Sequence, residues 1–87
     1  IGLCQPGEAE HLLDEGETEL GGRFPINMSG GFSSFGEAVA AQGLMQVCEI
    51  VSQLRGQAGP RQVEGAKVAL GQVYGGFGNS GTFILKR

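Results

Sequence analysis

Sulfur and imidazole are scarce in this sequence, which holds two cysteines, Cys4 and Cys48, and one histidine, His11. Two cysteines make no disulfide framework. With a single histidine they cannot build a zinc site of usual spacing, so no metal site is expected. No apolar run approaches the ~20 residues that span a bilayer. Basic residues are few, the formal net charge is −3, and no basic patch interleaved with aromatics argues for nucleic acid. The phosphate loop Gly-x-x-x-x-Gly-Lys-Ser/Thr is missing. So is a basic-then-apolar leader: the sequence opens Ile1-Gly2-Leu3-Cys4 and is read as a fragment or processed product, with the cytoplasm as its compartment.

Glycine is what the sequence has in excess, 17 of its 87 residues against a usual ~7%. No Gly-X-Y period accompanies it, which excludes collagen. Each glycine loses more backbone freedom on folding than any other residue. A chain this short buries only roughly 60–65% of the surface it exposes when unfolded. The expectation is one unit over residues 1–87 that belongs to a larger protein or needs an obligate partner.

Periodicity supplies the elements. Residues 7–16 read as a short helix that Gly16 stops, with His11 on its solvent side. Pro25 sets a turn with Gly21-Gly22-Arg23-Phe24, and residues 26–35 read as a Ser/Gly-rich loop. Leu44, Val47, Cys48, Val51 and Leu54 recur at one-face spacing and predict a long helix from near Gly36–Glu37 to Arg55-Gly56. Cys48 falls in that stripe and is read as an inert core thiol. Ala40, Ala41 and Gly43 leave its first turns nearly bare, so something packs closely there. Strands are predicted over 65–73 and 82–85, and the glycine loop between them, residues 74–81, suits an antiparallel pair.

Three segments carry a resemblance. Pro25-Ile26-Asn27-Met28-Ser29-Gly30-Gly31 resembles the thiolase segment Pro-Val-Asn-x-x-Gly-Gly. Gly36-Glu37-Ala38-Val39-Ala40-Ala41-Gln42-Gly43 lies where thiolases carry Gly-His-Pro-x-Gly-Ala-x-Gly. Val68-Ala69-Leu70 followed by Gly75-Gly76-Phe77-Gly78 resembles their final strand and its glycine loop. The stretch from Gln53 through Val63 is similar to the sterol-carrier, or lipid-transfer-protein, branch. The resemblance implies an α/β fold: the later part of a thiolase-like C-terminal half, a helix layer on a mixed sheet that ends in an antiparallel strand pair.

It also implies chemistry on acyl-CoA thioesters, with acyl-CoA as substrate and no tightly bound cofactor. Glu37 occupies the histidine position and Ala38 the proline position. Gln72 and Val73 stand where the sterol-carrier branch has His-Asn, and Val73 where other thiolases have Cys. Each acid/base residue expected of this segment is therefore replaced. Glutamate at neutral pH is an anion and donates nothing to an oxyanion, unless burial keeps it protonated. Glu37 is read either as a recruited acid or base, or as a carboxylate at a helix N-terminus. Tyr74 is read either as a donor to a carbonyl or enolate oxygen, or as packing with a wet hydroxyl. Asn27, Ser29, Gly30 and Gly31 border the acyl-CoA pocket by resemblance, or form a self-satisfied turn. Gly75, Gly76 and Gly78 bring backbone N–H groups to a thioester oxygen, or only turn the chain.

Three functions follow from the resemblance. One is acyl transfer or thiolysis with Glu37 recruited. The second is an aldolase-type carbon–carbon lyase, which needs a base and an enolate stabiliser but no thiol. The third is a non-catalytic binding or scaffold subunit. The partners implied are the remainder of the thiolase-like chain or a homodimer mate, and a small OB-fold acyl-CoA-binding protein.

Overall fold

One helix and one hairpin account for most of the ordered packing in the computed structural model, which describes residues 2–87. The helix, α3, is Gln42–Leu54; two shorter helices precede it, α1 at Ala9–Asp14 and α2 at Phe32–Phe35. The hairpin pairs β1, Val68–Tyr74, with β2, Ser80–Lys86, antiparallel and in the register Leu70↔Ile84, Gly71↔Phe83, Gln72↔Thr82. Single 3₁₀ turns lie at Gly59–Arg61 and Gly76–Gly78. The α/β class and the terminal antiparallel pair are as the sequence predicts, and among the described residues the sheet has two strands.

Strand alternation decides which face meets α3. Ala69, Gly71 and Val73 of β1, with Leu85 and Phe83 of β2, are buried or half-buried and form the inner face. Gly71 has no side chain because its cross-strand neighbour takes the space: a Cβ there would lie 2.2 Å from Cζ of the Phe83 ring. The outer face is bare, and it is apolar toward its Val68 and Ile84 end. Val68 is 62% exposed and Ile84 65%.

The C-terminal end of α3 is closed three ways. Gly56 has φ +70°, a left-handed conformation that only glycine adopts without a steric penalty. Gln57 N–H donates to the Ser52 carbonyl at 2.8 Å and Gly56 N–H to Gln53 at 3.1 Å, the bond pair of a Schellman cap. Arg87 Nη1 adds a bond to the Leu54 carbonyl at 3.2 Å, tying the end of the hairpin to the end of the helix.

Beside that cap lies a polar knot. Buried Gln53 donates to the Arg61 carbonyl and accepts from Val63 N–H, both at 2.8 Å. Gln62 donates to the Gln53 carbonyl at 2.9 Å and accepts from Ala58 N–H at 3.0 Å. Arg61 grips Glu49 with both arms of its fork, Nε to Oε1 at 2.9 Å and Nη2 to Oε2 at 2.8 Å. Leu54 and Ala58, the two buried hydrophobic residues among those described, lie in the same segment.

Four sequence expectations are corrected here. The long helix begins at Gln42, not near Gly36–Glu37. Gly36 at φ +94° and Ala40 at φ +71° break the helical path, and Ala41 N–H donates to the Ala38 carbonyl in a turn instead. Residues 32–35 are helical rather than loop, held by an edge-to-face pair of Phe32 and Phe35 with ring centroids 5.8 Å apart. The strands are displaced toward each other, so the connection is Gly75–Asn79 and not 74–81. Cys48 is exposed rather than core, and Leu44 beside it on the helix is 71% exposed. Two strands are too narrow to cover the whole apolar stripe of α3. Among the described residues, no helix is long and apolar enough to cross a membrane.

Two outcomes are expected. Gly71→Ala drives a methyl into the Phe83 ring and should destabilise the intact protein by roughly 1–3 kcal/mol, read as a lower denaturant midpoint. The second concerns pH. The Arg61 fork lowers the Glu49 pKa below its usual value, so this pair stabilises the fold above the usual carboxylate range and loses that effect as pH falls through the lowered value. Wild type should therefore melt higher than Glu49→Gln at pH 7, and the gap should close as the pH drops below about 4.

Candidate functional site

Glu37 and Tyr74 lie far apart in sequence, yet they line one open hollow of about 960 Å³. Its first wall is the turn ahead of α3 and the first half of that helix, from Glu37 and Val39 through Gln42 and Gly43 to Val47. The second wall is the end of β1 with Val73 and Tyr74, the glycine turn with Gly75, Gly76 and Asn79, and the start of β2.

The walls meet around Val73. A Cβ on Gly43 would lie 3.9 Å from Cγ1 of Val73, and a Cβ on Gly81 would lie 3.7 Å from the same atom. Val73 thus sits between two glycines and draws the head of α3 to the end of the sheet. Of the small residues Ala40, Ala41 and Gly43, from which close packing is expected, Gly43 faces Val73, whereas Ala40 is exposed. The turn is closed by Gly75 N–H donating to the Asn79 carbonyl at 2.8 Å. At its tip Phe77 is left-handed, φ +57°, and wholly exposed.

The polar groups of the hollow are few. Glu37 is exposed and accepts a hydrogen bond at Oε1 from Gln42 Nε2. No side chain caps α3 at Ala41, and Glu37 lies ahead of the helix, bonded to the side chain of its first residue, Gln42. The Tyr74 ring is 79% exposed, which leaves its hydroxyl reachable. Ser80 is its cross-strand partner. Apolar surface comes from Val39, Leu44, Val47 and Val73, so the hollow pairs an oily wall with an acid and a phenol. Neither cysteine lines it.

The other residues singled out in the sequence lie elsewhere. Asn27, Ser29, Gly30 and Gly31 are not among its walls. They form a tight turn, with Gly30 N–H donating to the Asn27 carbonyl at 2.8 Å and Gly31 N–H to Ser29 Oγ at 3.3 Å, and Gly31 opens α2. Gly78 is also absent from the lining, whereas Gly75 and Gly76 are in it. The carbonyl of Gln72 accepts from Gln46 Nε2 at 2.9 Å, a bond from α3 to the free edge of β1. Sequence reasoning passed over Gln42, Asn79 and Thr82 as wall residues. Gln42 and Asn79 carried a signal in their places inside the Gly36–Gly43 segment and the 74–81 glycine loop, whereas Thr82 carried none. A smaller hollow of about 360 Å³ lies beside α1, lined by residues including Cys4, His11 and Arg23. Among the described residues, no three of His, Cys, Asp and Glu group to hold a metal ion.

A fold in which a helix head and a glycine turn close on one hollow can be compared with known proteins. The family model described as thiolase C-terminal domain-like matches residues 1–87, and the chain belongs to that family. It is 47% identical to sterol carrier protein 2 of Rattus norvegicus, over the whole of this chain and 16% of that protein's length. It is 40% identical to an acetyl-CoA acetyltransferase of Methanothermobacter thermautotrophicus, over 92% of this chain and 21% of that protein. It is 36% identical to the benzoylsuccinyl-CoA thiolase subunit BbsB of Thauera aromatica, over 87% of this chain and 20% of that protein. The chain therefore spans about a fifth or less of the length of these relatives.

Ala40 is the strained member of the site. An L-residue in this left-handed conformation is penalised by roughly 1–2 kcal/mol, and the thiolase pattern Gly-His-Pro-x-Gly carries glycine at this place. Ala40→Gly should relieve the strain, offset in part by the added freedom of the unfolded chain. A net stabilisation of up to about 1 kcal/mol is expected, measured as a raised denaturant midpoint.

Proposed function

We propose that this chain forms one wall of an acyl-CoA site in a thiolase-like protein, with Glu37 as acid/base and Tyr74 as a hydrogen-bond donor. The observation that carries this reading is the meeting of Glu37 and Tyr74 on a single hollow floored by Val47 and Val73. The names of two relatives, an acetyl-CoA acetyltransferase and a benzoylsuccinyl-CoA thiolase subunit, support a CoA thioester as the substrate class.

The chemistry follows from the groups. An exposed carboxylate accepts a proton from the carbon next to a thioester carbonyl, or from an attacking group. The negative charge that develops on the carbonyl oxygen is met by the Tyr74 hydroxyl and by the Gly76 N–H, the Gly75 N–H being taken up by the Asn79 carbonyl. The apolar wall takes the acyl group. Asn27, Ser29, Gly30, Gly31 and Gly78 belong in this proposal as residues bordering the CoA portion from outside the hollow. The bare face of Val68 and Ile84, and the exposed Leu44 and Cys48 on α3, are covered by the remainder of the protein or a homodimer mate. A small OB-fold acyl-CoA-binding protein is a further partner. Acyl-CoA is the substrate, and no cofactor is bound tightly.

A second reading is carbon–carbon cleavage of an aldolase type, for which a base and an enolate donor such as Glu37 and Tyr74 on one hollow are the groups required. Glu37 would take the proton of a β-hydroxyl, the adjacent carbon–carbon bond would break, and its electron pair would enter a thioester enolate held by Tyr74. No thiol nucleophile is needed. The intact protein should decide. Glu37→Gln should cut turnover at least ~100-fold, and near-normal turnover would end the acid/base reading. Tyr74→Phe should lower kcat with an unchanged melting temperature. Cleavage that requires added CoA indicates thiolysis, whereas cleavage without it indicates the lyase. Failure of either activity, with acyl-CoA still bound, indicates a binding subunit.

A further inference from the structure

Glu37 is an exposed side chain with three rotatable torsions, and a base must be held in one place to take a proton efficiently. What holds it is on the facing residue. The backbone between Glu37 and Gln42 is folded back by the turn from Ala38 to Ala41 and by the left-handed Ala40. Without that reversal these two side chains, five residues apart, would lie on different sides of a continuous helix. With it, Gln42 Nε2 donates to Glu37 Oε1, and both residues line the same hollow. Among the described residues, the other oxygen, Oε2, has no hydrogen-bond partner. Strained backbone that persists beside a site has its use there. Here the strain brings a neutral amide to a carboxylate.

We propose that Gln42 is a positioning residue for Glu37: its amide pins one carboxylate oxygen and leaves the second to face the substrate. This rests on the reading of Glu37 as the acid/base group, and adds to it a residue that never touches the reacting atoms. An amide suits the task because it donates to the carboxylate without bringing a charge of its own. A lysine at this place would neutralise it.

The test is a double-mutant cycle in the intact protein, with Gln42→Met, Glu37→Gln and the two combined. Methionine keeps the length and helix propensity of glutamine and lacks the donor. Gln42→Met should lower kcat roughly 10- to 100-fold and leave KM within about twofold, with the melting temperature unchanged. In the Glu37→Gln background the same change should have no further effect, since the group it positions is gone. Gln42→Glu sets two carboxylates side by side and should lower kcat further than Gln42→Met. Wild-type kcat in Gln42→Met, with Glu37→Gln impaired, would overturn the positioning role and spare the proposed function. Equal losses in both backgrounds would overturn it as well, because Gln42 would then act independently of Glu37. Full turnover in Glu37→Gln would instead remove the acid/base reading itself.

Discussion

The Phe83 ring lies over Gly71, and most of the structure follows from that contact. A sheet of two strands offers little surface to a helix, and here the inner face is levelled by having no side chain at Gly71. The ring fills that space on the inner face of the hairpin. Val73, one inward position along, fits between Gly43 of the helix and Gly81 of the partner strand. Val73 thus fixes how far the helix head sits from the sheet. Because that separation sets the distance between the Glu37 turn and Tyr74, the packing of the core decides the width of the hollow.

The two ends of α3 are built on opposite principles. Its C-terminal end is over-determined by a Schellman cap, the Arg87 bond and the knot of Gln53, Gln62, Glu49 and Arg61. Its N-terminal end has no side-chain cap and a strained alanine two residues before it. The firm end anchors the helix, which frees the other to adopt a conformation that local preference alone would reject. Local rules fail most often where a site is made, and both left-handed residues near the hollow, Ala40 and Phe77, fit that pattern.

The apolar groups left in solvent describe what the chain lacks. Val68 and Ile84 on the outer sheet face, and Leu44 on α3, are large side chains whose burial is worth ~1.5–3 kcal/mol each. The chain amounts to about a fifth or less of the length of its relatives.

The sequence by itself determined the elements whose signals are local: the apolar period of α3, the glycine stops after α1 and α3, and two short apolar strands joined by a glycine turn. It also carried the family, because Gly36–Gly43 and the final glycine turn keep their order and spacing. What it could not determine were the start of α3, the exposure of Cys48, the helical turn at Phe32–Phe35 and the partnership of Glu37 with Gln42. A left-handed alanine leaves no mark in composition. The burial of a stripe depends on how many strands lie beneath it, and a pairing of side chains depends on where the backbone reverses. These are relations between distant segments, and tertiary packing alone decided them.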